Sequence, residues 1–146
     1  MLPKWHIFWG AIFTLIIWFS AQQLHPFYLL LIFLSTFLID FDHYMIYVRR
    51  HKNLSLPKAL TYMKKIRDEQ FISHKKGKRE KGPFFIFHTI EFHIFTAFLG
   101  LFWIGFFYVF MGMVFHSLLD LMWLLNKDIF YKREYFLFNW ARKKLS

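Results

Sequence analysis

The run FFIFHTIEFHIFTAFLGLFWIGFFYVFMGMVFHSLLDLMWLL, residues 84–125, holds no lysine or arginine and decides how this chain is read. It is about twice as long as one bilayer crossing, since roughly 20 apolar residues at 1.5 Å rise span the hydrocarbon. Gly100 and Gly105 lie near its middle, which predicts a tight reversal there between helices over 83–101 and 104–125. Working outward, residues 5–21 and 26–48 also lack lysine and arginine. Each suits a single crossing and predicts helices over 5–22 and 26–48. The first is not read as a cleaved leader, because it lacks a small-residue cleavage site. The expected fold is all-α: an integral membrane bundle of four transmembrane helices with short connections, forming one membrane domain over residues 1–146.

The charges sit where such a bundle needs them. Of the 19 Lys and Arg residues, 12 fall within residues 49–81, six within 127–144, and the last is Lys4. The connections at 22–25 and 100–105 carry none. Four crossings with the N-terminus, the loop 49–82 and the tail 126–146 inside satisfy the positive-inside rule at every junction. The expected location is the cell membrane, the cytoplasmic membrane of a prokaryote, as a multi-pass protein with both termini cytoplasmic. The net charge of +10 then follows from topology, with attraction to anionic headgroups as a by-product, and no nucleic-acid partner is expected. A composition 57% hydrophobic and 24% aromatic excludes a disordered chain or an array of polar repeats. The lack of cysteine excludes disulfides and thiolate metal sites, so any metal must use N and O ligands.

The loop and tail have patterns of their own. Ser55 can cap a helix with Pro57 in its first turn, and Leu60, Met63, Arg67, Gln70 and Phe71 fall at helical spacing, predicting an interfacial helix over 57–72. The basic run 75–82 reads as a mobile linker. The tail mixes Phe130, Tyr131, Tyr135, Phe136, Phe138 and Trp140 with Lys and Arg, a composition suited to the headgroup zone.

Polar residues interrupt the apolar segments in an organised way. Four carboxylates, Asp40, Asp42, Glu91 and Asp120, lie there with five of the eight histidines, His6, His43, His88, His93 and His116. A charged carboxylate at bilayer depth costs about 2.5–3.5 kcal/mol, so four cost on the order of 10 kcal/mol. The predicted spans contain no Lys or Arg to offset this, so either the acids are protonated or a bound cation balances them. In an alternating four-span topology all nine groups fall toward the cytoplasmic end, while the outer halves are almost purely apolar. His116 and Asp120 are i, i+4 and share a helix face; Asp40/His43 and His88/Glu91 are i, i+3. Asp42 points roughly 200° away from Asp40 on a regular helix. His93 can join His88 at one ion only if the helix start is unwound.

The order and spacing of these groups resemble the YdjM-like family of membrane-bound metal-dependent hydrolases. The matching stretches are His6…Gly10, Leu38-Ile39-Asp40-Phe41-Asp42-His43, His88-Thr89-Ile90-Glu91-Phe92-His93 and Gly112…His116-Ser117-Leu118-Leu119-Asp120. The family pattern has Pro where Ile39 stands, and Arg and Thr where Thr89 and Phe92 stand. If that arginine clamps an anionic substrate, this chain needs another cation. A looser similarity to zinc-dependent phospholipase C suggests phosphoester chemistry by analogy.

Imidazole and carboxylate donors without sulfur suit Zn²⁺ foremost, and also Mn²⁺ or Fe²⁺, as one or two ions. The expected activity is metal-dependent hydrolysis of a lipid-linked ester, chiefly a phosphoester, at the cytoplasmic end of the bundle. Asp40, His88, His116 and Asp120 are the leading ligands, followed by Asp42, His43, His93 and His6. Glu91 or Asp42 is assigned the proton transfer, and Arg49 and Lys81, near the helix ends, the substrate headgroup. The competing readings are a metal or proton transporter, which needs polar groups along a whole crossing path, a haem protein, and a non-catalytic structural or assembly protein.

Overall fold

The computed structural model describes residues 3–79 and 81–145, so Glu80 of the basic run and the chain's extreme ends fall outside the described residues. Among those described, the chain is all-helical and has no strand. Seven α-helices follow in order: α1 (Pro3–Ser20), α2 (Pro26–Leu38), α3 (Phe41–His51), α4 (Leu56–Lys75), α5 (Ile90–Leu99), α6 (Ile104–Asn126) and α7 (Leu137–Leu145). Short 3₁₀ turns occupy Ile86–His88 and Phe130–Lys132.

Two of the expected spans differ from expectation. The segment 26–48 is not one rod: it breaks after Leu38, and α3 departs from α2 at 44°. The helix expected from 83 starts only at Ile90. Thr89 takes extended backbone there, and its hydroxyl accepts from Phe92 N at 3.3 Å, capping the first turn. Among the described residues, α6 alone is long and apolar enough to cross a membrane by length and hydropathy, and the bent α2–α3 pair qualifies if it counts as one span. The reversal at 100–103 and the extra helix α4 fall where predicted. Ser55 holds the N-cap position of α4, but its hydroxyl makes no capping bond; its N–H donates to Asn53 Oδ1 at 2.8 Å.

α2 and α6 form the centre, α1 packs on α2, α5 on α6, and α4 on α3. Glycine lets the helices meet closely. A Cβ on Gly112 would collide with Ser35 Oγ and Ile32 O of α2, and one on Gly10 would collide with the Thr36 side chain. Small residues at these crossings bring the backbones together, as they do in membrane bundles. At the opposite end, stacked rings fill the helix contacts: Tyr28 on Tyr108 at 4.6 Å and, nearer mid-bundle, Phe13 on Phe115 at 4.1 Å.

The distribution of polarity is inverted relative to a water-soluble bundle. The buried set includes His6, Asp42, His88, Thr89, His116 and Asp120, whereas Trp5, Phe8, Trp18, Phe19, Ile94, Phe98, Leu101 and Phe102 face outward. Large exposed apolar surface of this extent marks contact with something other than water.

Candidate metal centre

The two ends of α6 and α1 that carry the motif glycines also carry the histidines. Gly112 and His116 are i, i+4, as are His6 and Gly10, so each histidine lies on the face that its glycine presses against α2. One further turn along α6 stands Asp120. His6, His116 and Asp120 are all buried, at 0%, 0% and 1% exposure.

The break in α2–α3 supplies the next part. Asp40 N–H bonds to Phe37 O at 3.2 Å rather than to Thr36 O, the partner of an unbroken helix. The freed Thr36 carbonyl accepts from His116 Nδ1 at 2.8 Å. Beyond the break the regular angular step between residues is lost, and Asp40 and Asp42 both reach His88. Asp42 Oδ2 lies 3.0 Å from His88 Nδ1 and Asp40 Oδ1 lies 3.5 Å from His88 Nε2. His88 sits in the 3₁₀ turn ahead of α5, where Phe87 N also donates to Asp42 Oδ2 at 3.3 Å.

Four donor atoms therefore converge: Asp40 Oδ1, His88 Nε2, His116 Nε2 and Asp120 Oδ2, all within 4.8 Å of one another. The two nitrogens are 3.1 Å apart; His116 Nε2 is 3.6 Å from Asp40 Oδ1 and 3.5 Å from Asp120 Oδ2; His88 Nε2 is 4.0 Å from Asp120 Oδ2. Four ligands about 2.0–2.2 Å from a tetrahedral ion stand about 3.3–3.6 Å from each other. The separations have the size of such a polyhedron.

Proton bookkeeping supports the same arrangement. A carbonyl can only accept, so His116 Nδ1 must carry the hydrogen it donates to Thr36 O, and ionised Asp42 demands the same of His88 Nδ1. In the neutral rings both Nε2 atoms then present lone pairs to each other at 3.1 Å. Something positive, a proton or a cation, belongs between them. The carboxylate behind His88 and the carbonyl behind His116 are the supports that metal-bound imidazoles use. His6 adds an unmet demand: its Nε2 is 3.2 Å from Asp120 Oδ1, yet the alignment is not that of a hydrogen bond, and neither ring nitrogen has a hydrogen-bond partner. Its ring stacks on His116 at 3.8 Å. This donor set fits a divalent metal ion.

A second group, Asp42, His43 and His88, adjoins the first. His43 Nδ1 is 2.7 Å from Asp42 Oδ1 and 3.4 Å from Asp40 Oδ1, its ring stacks on Phe85 at 3.8 Å, and its side chain is 23% exposed. Of the predicted ligands, this leaves outside both groups His6, which lies beside Asp120, and His93. His93 Nδ1 faces Thr89 O at 2.8 Å and its Nε2 faces Ser117 Oγ at 2.9 Å. The late start of α5 does unwind His88 from the helix, but it turns His93 toward α6's polar shoulder instead of the cluster.

Other predicted site residues are engaged elsewhere. Both oxygens of Glu91 accept backbone N–H groups of the tail, Leu137 at 2.9 Å and Phe138 at 3.3 Å. It caps α7 and takes no place beside the four converging atoms. Asp42 has both oxygens committed to His43, His88 and Phe87 N, so it orients imidazoles. Lys81 pairs with Glu134 at 3.4 Å, and Arg49 is exposed on the last turn of α3.

One residue at the cluster that nothing in the sequence pointed to is Arg133. Its Nη2 lies 2.7 Å from Asp120 Oδ2, so one carboxylate has a basic partner after all, supplied from outside the apolar segments. The segment that carries it is strapped across this end of the bundle. Gly82 N donates to Lys132 O at 2.8 Å and Ile90 N to Tyr135 O at 2.9 Å. Glu134 follows: burial works against its charge, but hydrogen bonds from Asn139 and Lys143 and the nearby charge of Lys81 hold its carboxyl below the usual range. The tail expected to lie among headgroups thus turns inward at 132–133. Its basic and aromatic composition gave no signal for that.

The molecule defined so far is an all-helical protein with a buried Asp/His cluster able to hold a divalent metal. Comparison with protein-family models, with curated proteins and with solved structures finds no match to this chain.

Proposed function

We propose that this chain is a multi-pass membrane protein that uses a divalent metal, Zn²⁺ foremost, to hydrolyse an ester of a lipid-linked substrate, most simply a phosphoester. The observation that carries the reading is the pair of Nε2 atoms of His88 and His116, 3.1 Å apart, whose Nδ1 atoms are committed to Asp42 and Thr36 O. The inverted polarity of the bundle supports the membrane setting, with all four apolar segments, 5–22, 26–48, 83–101 and 104–125, in lipid. The family resemblance in the four motif blocks supports the hydrolytic assignment.

In this reading Asp40, His88, His116 and Asp120 hold the ion, with His6 beside Asp120. When bound, such an ion supplies Lewis-acid polarisation of an ester oxygen and a lowered pKa for water. The chain's own groups do the rest. Asp42 and Thr36 O fix the imidazole tautomers. His43, oriented by Asp42 through Nδ1 and partly exposed, accepts the proton at its Nε2. The exposed apolar faces keep the lipid portion of the substrate alongside the bundle.

Elemental analysis of detergent-purified protein tests the foundation. Stoichiometric metal in the wild type, lost in both His116→Ala and Asp120→Ala, is the expected result; equal trace metal in all three refutes it. Release of phosphate or alcohol from lipid phosphates by the loaded wild type, and not by His43→Ala at full metal content, then tests the chemistry. One observation favours a second reading. With Arg133 on Asp120 and a proton between the two Nε2 atoms, the four converging groups pair as a structural polar core, which the metal-free outcome would select.

A further inference from the structure

The strap after α6 brings more than a counter-charge to the cluster. Arg133 reaches Asp120 through Nη2. A guanidinium carries five N–H donors in a planar fork, so donors remain that this one oxygen does not consume. Two residues further along the same strap, the hydroxyl of Tyr135 is buried without a hydrogen-bond partner, and the charges close enough to act on it are those of Arg133 and Asp120. A buried phenol left unsatisfied is costly unless something accepts from it. The strap is held in register by Ile90 N on Tyr135 O and Gly82 N on Lys132 O, so both side chains are presented from fixed backbone.

We propose that Arg133 and Tyr135 form an anion-binding half-site facing the Asp40–His88–His116–Asp120 centre, built to take the oxygens of a phosphoryl group. Carboxylates and imidazoles at the centre can hold a cation, but none of them can donate to an anion while doing so. The strap supplies what that side lacks, a permanently charged fork and a neutral O–H. Arg–phosphate pairing is the strong, geometrically selective form of this contact. Arg133 thereby has two roles: it holds Asp120 through Nη2 and offers its remaining donors to the ligand. The inference rests on the metal-centre reading and narrows its substrate to a phosphate ester or free phosphate.

The test is calorimetric titration of the full-length, Zn²⁺-loaded protein in detergent with inorganic phosphate, with metal content measured on each sample. Wild type should bind phosphate when loaded and not when stripped. Arg133→Gln should keep its metal and lose about tenfold or more in phosphate affinity. Tyr135→Phe should lose several-fold, and Arg133→Lys should fall between wild type and Arg133→Gln. Unchanged phosphate affinity in Arg133→Gln and Tyr135→Phe at full metal content overturns the half-site and leaves the metal centre standing. If Arg133→Gln does not fold, Arg133→Lys and Tyr135→Phe decide, and wild-type affinity in both overturns it. Phosphate binding that ignores stripping of the metal places the anion elsewhere and overturns it too. Wild type that carries no metal refutes the metal reading and this inference together.

Discussion

α6 contributes two of the four converging donors and the α2–α3 arm one, with His88 added from the turn ahead of α5, and the two arms do so by opposite means. α6 is unbroken over Ile104–Asn126 and presents His116 and Asp120 by helical periodicity alone. The α2–α3 arm delivers Asp40, Asp42 and the Thr36 carbonyl only because it is interrupted, with a 44° bend at the break. A regular helix places side chains. An interrupted one also releases backbone groups, and here the released carbonyl sets the tautomer of a histidine on the other arm. One part of the centre is thus made by spacing and another by a departure from it.

The largest expected effect strikes where the two arms touch. Gly112→Leu places side-chain atoms into Ser35 Oγ and Ile32 O and should destabilise the bundle by about 3 kcal/mol or more, abolishing metal retention; thermal unfolding and metal analysis read both. A variant that keeps wild-type melting and metal would show that close approach of the arms is not needed. Next, Asp42→Asn removes the support behind His88 without touching the four converging atoms. Metal affinity should fall about 10–100-fold, measured by competition with a chelator, while melting of the metal-free protein changes little. An equal loss from His93→Ala, which lies outside the cluster, would contradict the division drawn here.

Smaller effects isolate the strap from both arms. Glu91→Gln should cost about 1 kcal/mol, seen as faster amide exchange at Leu137 and Phe138, with metal content unchanged; lost metal would return Glu91 to the centre. The smallest effect is pH-dependent. Because the folded state holds Glu134 below its ordinary value, its contribution to tail docking is fully present above the unfolded pKa near 4.3 and is lost as pH falls through the lower folded value. Exchange at residues 137–145 should accelerate there in wild type and be insensitive to that window in Glu134→Gln.

How far the molecule could be read in advance follows the same division. His116 and Asp120 were legible because i, i+4 on one long apolar helix fixes a shared face. The expectation that Asp40 and Asp42 diverge assumed an unbroken helix, and the break between Leu38 and Phe41 cancels it. Glu91 shares a face with His88 only on a helix running from 83, and His93 joins His88 only where that start is unwound; the helix does start late, at Ile90, yet this sends His93 to Ser117 and Glu91 to the tail. Arg133 lies 13 residues beyond Asp120 across two turns, a relation that no local periodicity encodes. The basic residue missing from the apolar segments was in the tail all along.

The strap has a consequence for how the protein is made. Residues 129–138 leave the ribosome after α6, so during synthesis the Arg133–Asp120 pair forms only once the strap follows α6. Closure of this end therefore cannot precede the synthesis of α6. A nascent chain stalled just past Asn126 would hold every cluster residue from His6 to Asp120 and still lack the strap that carries Arg133.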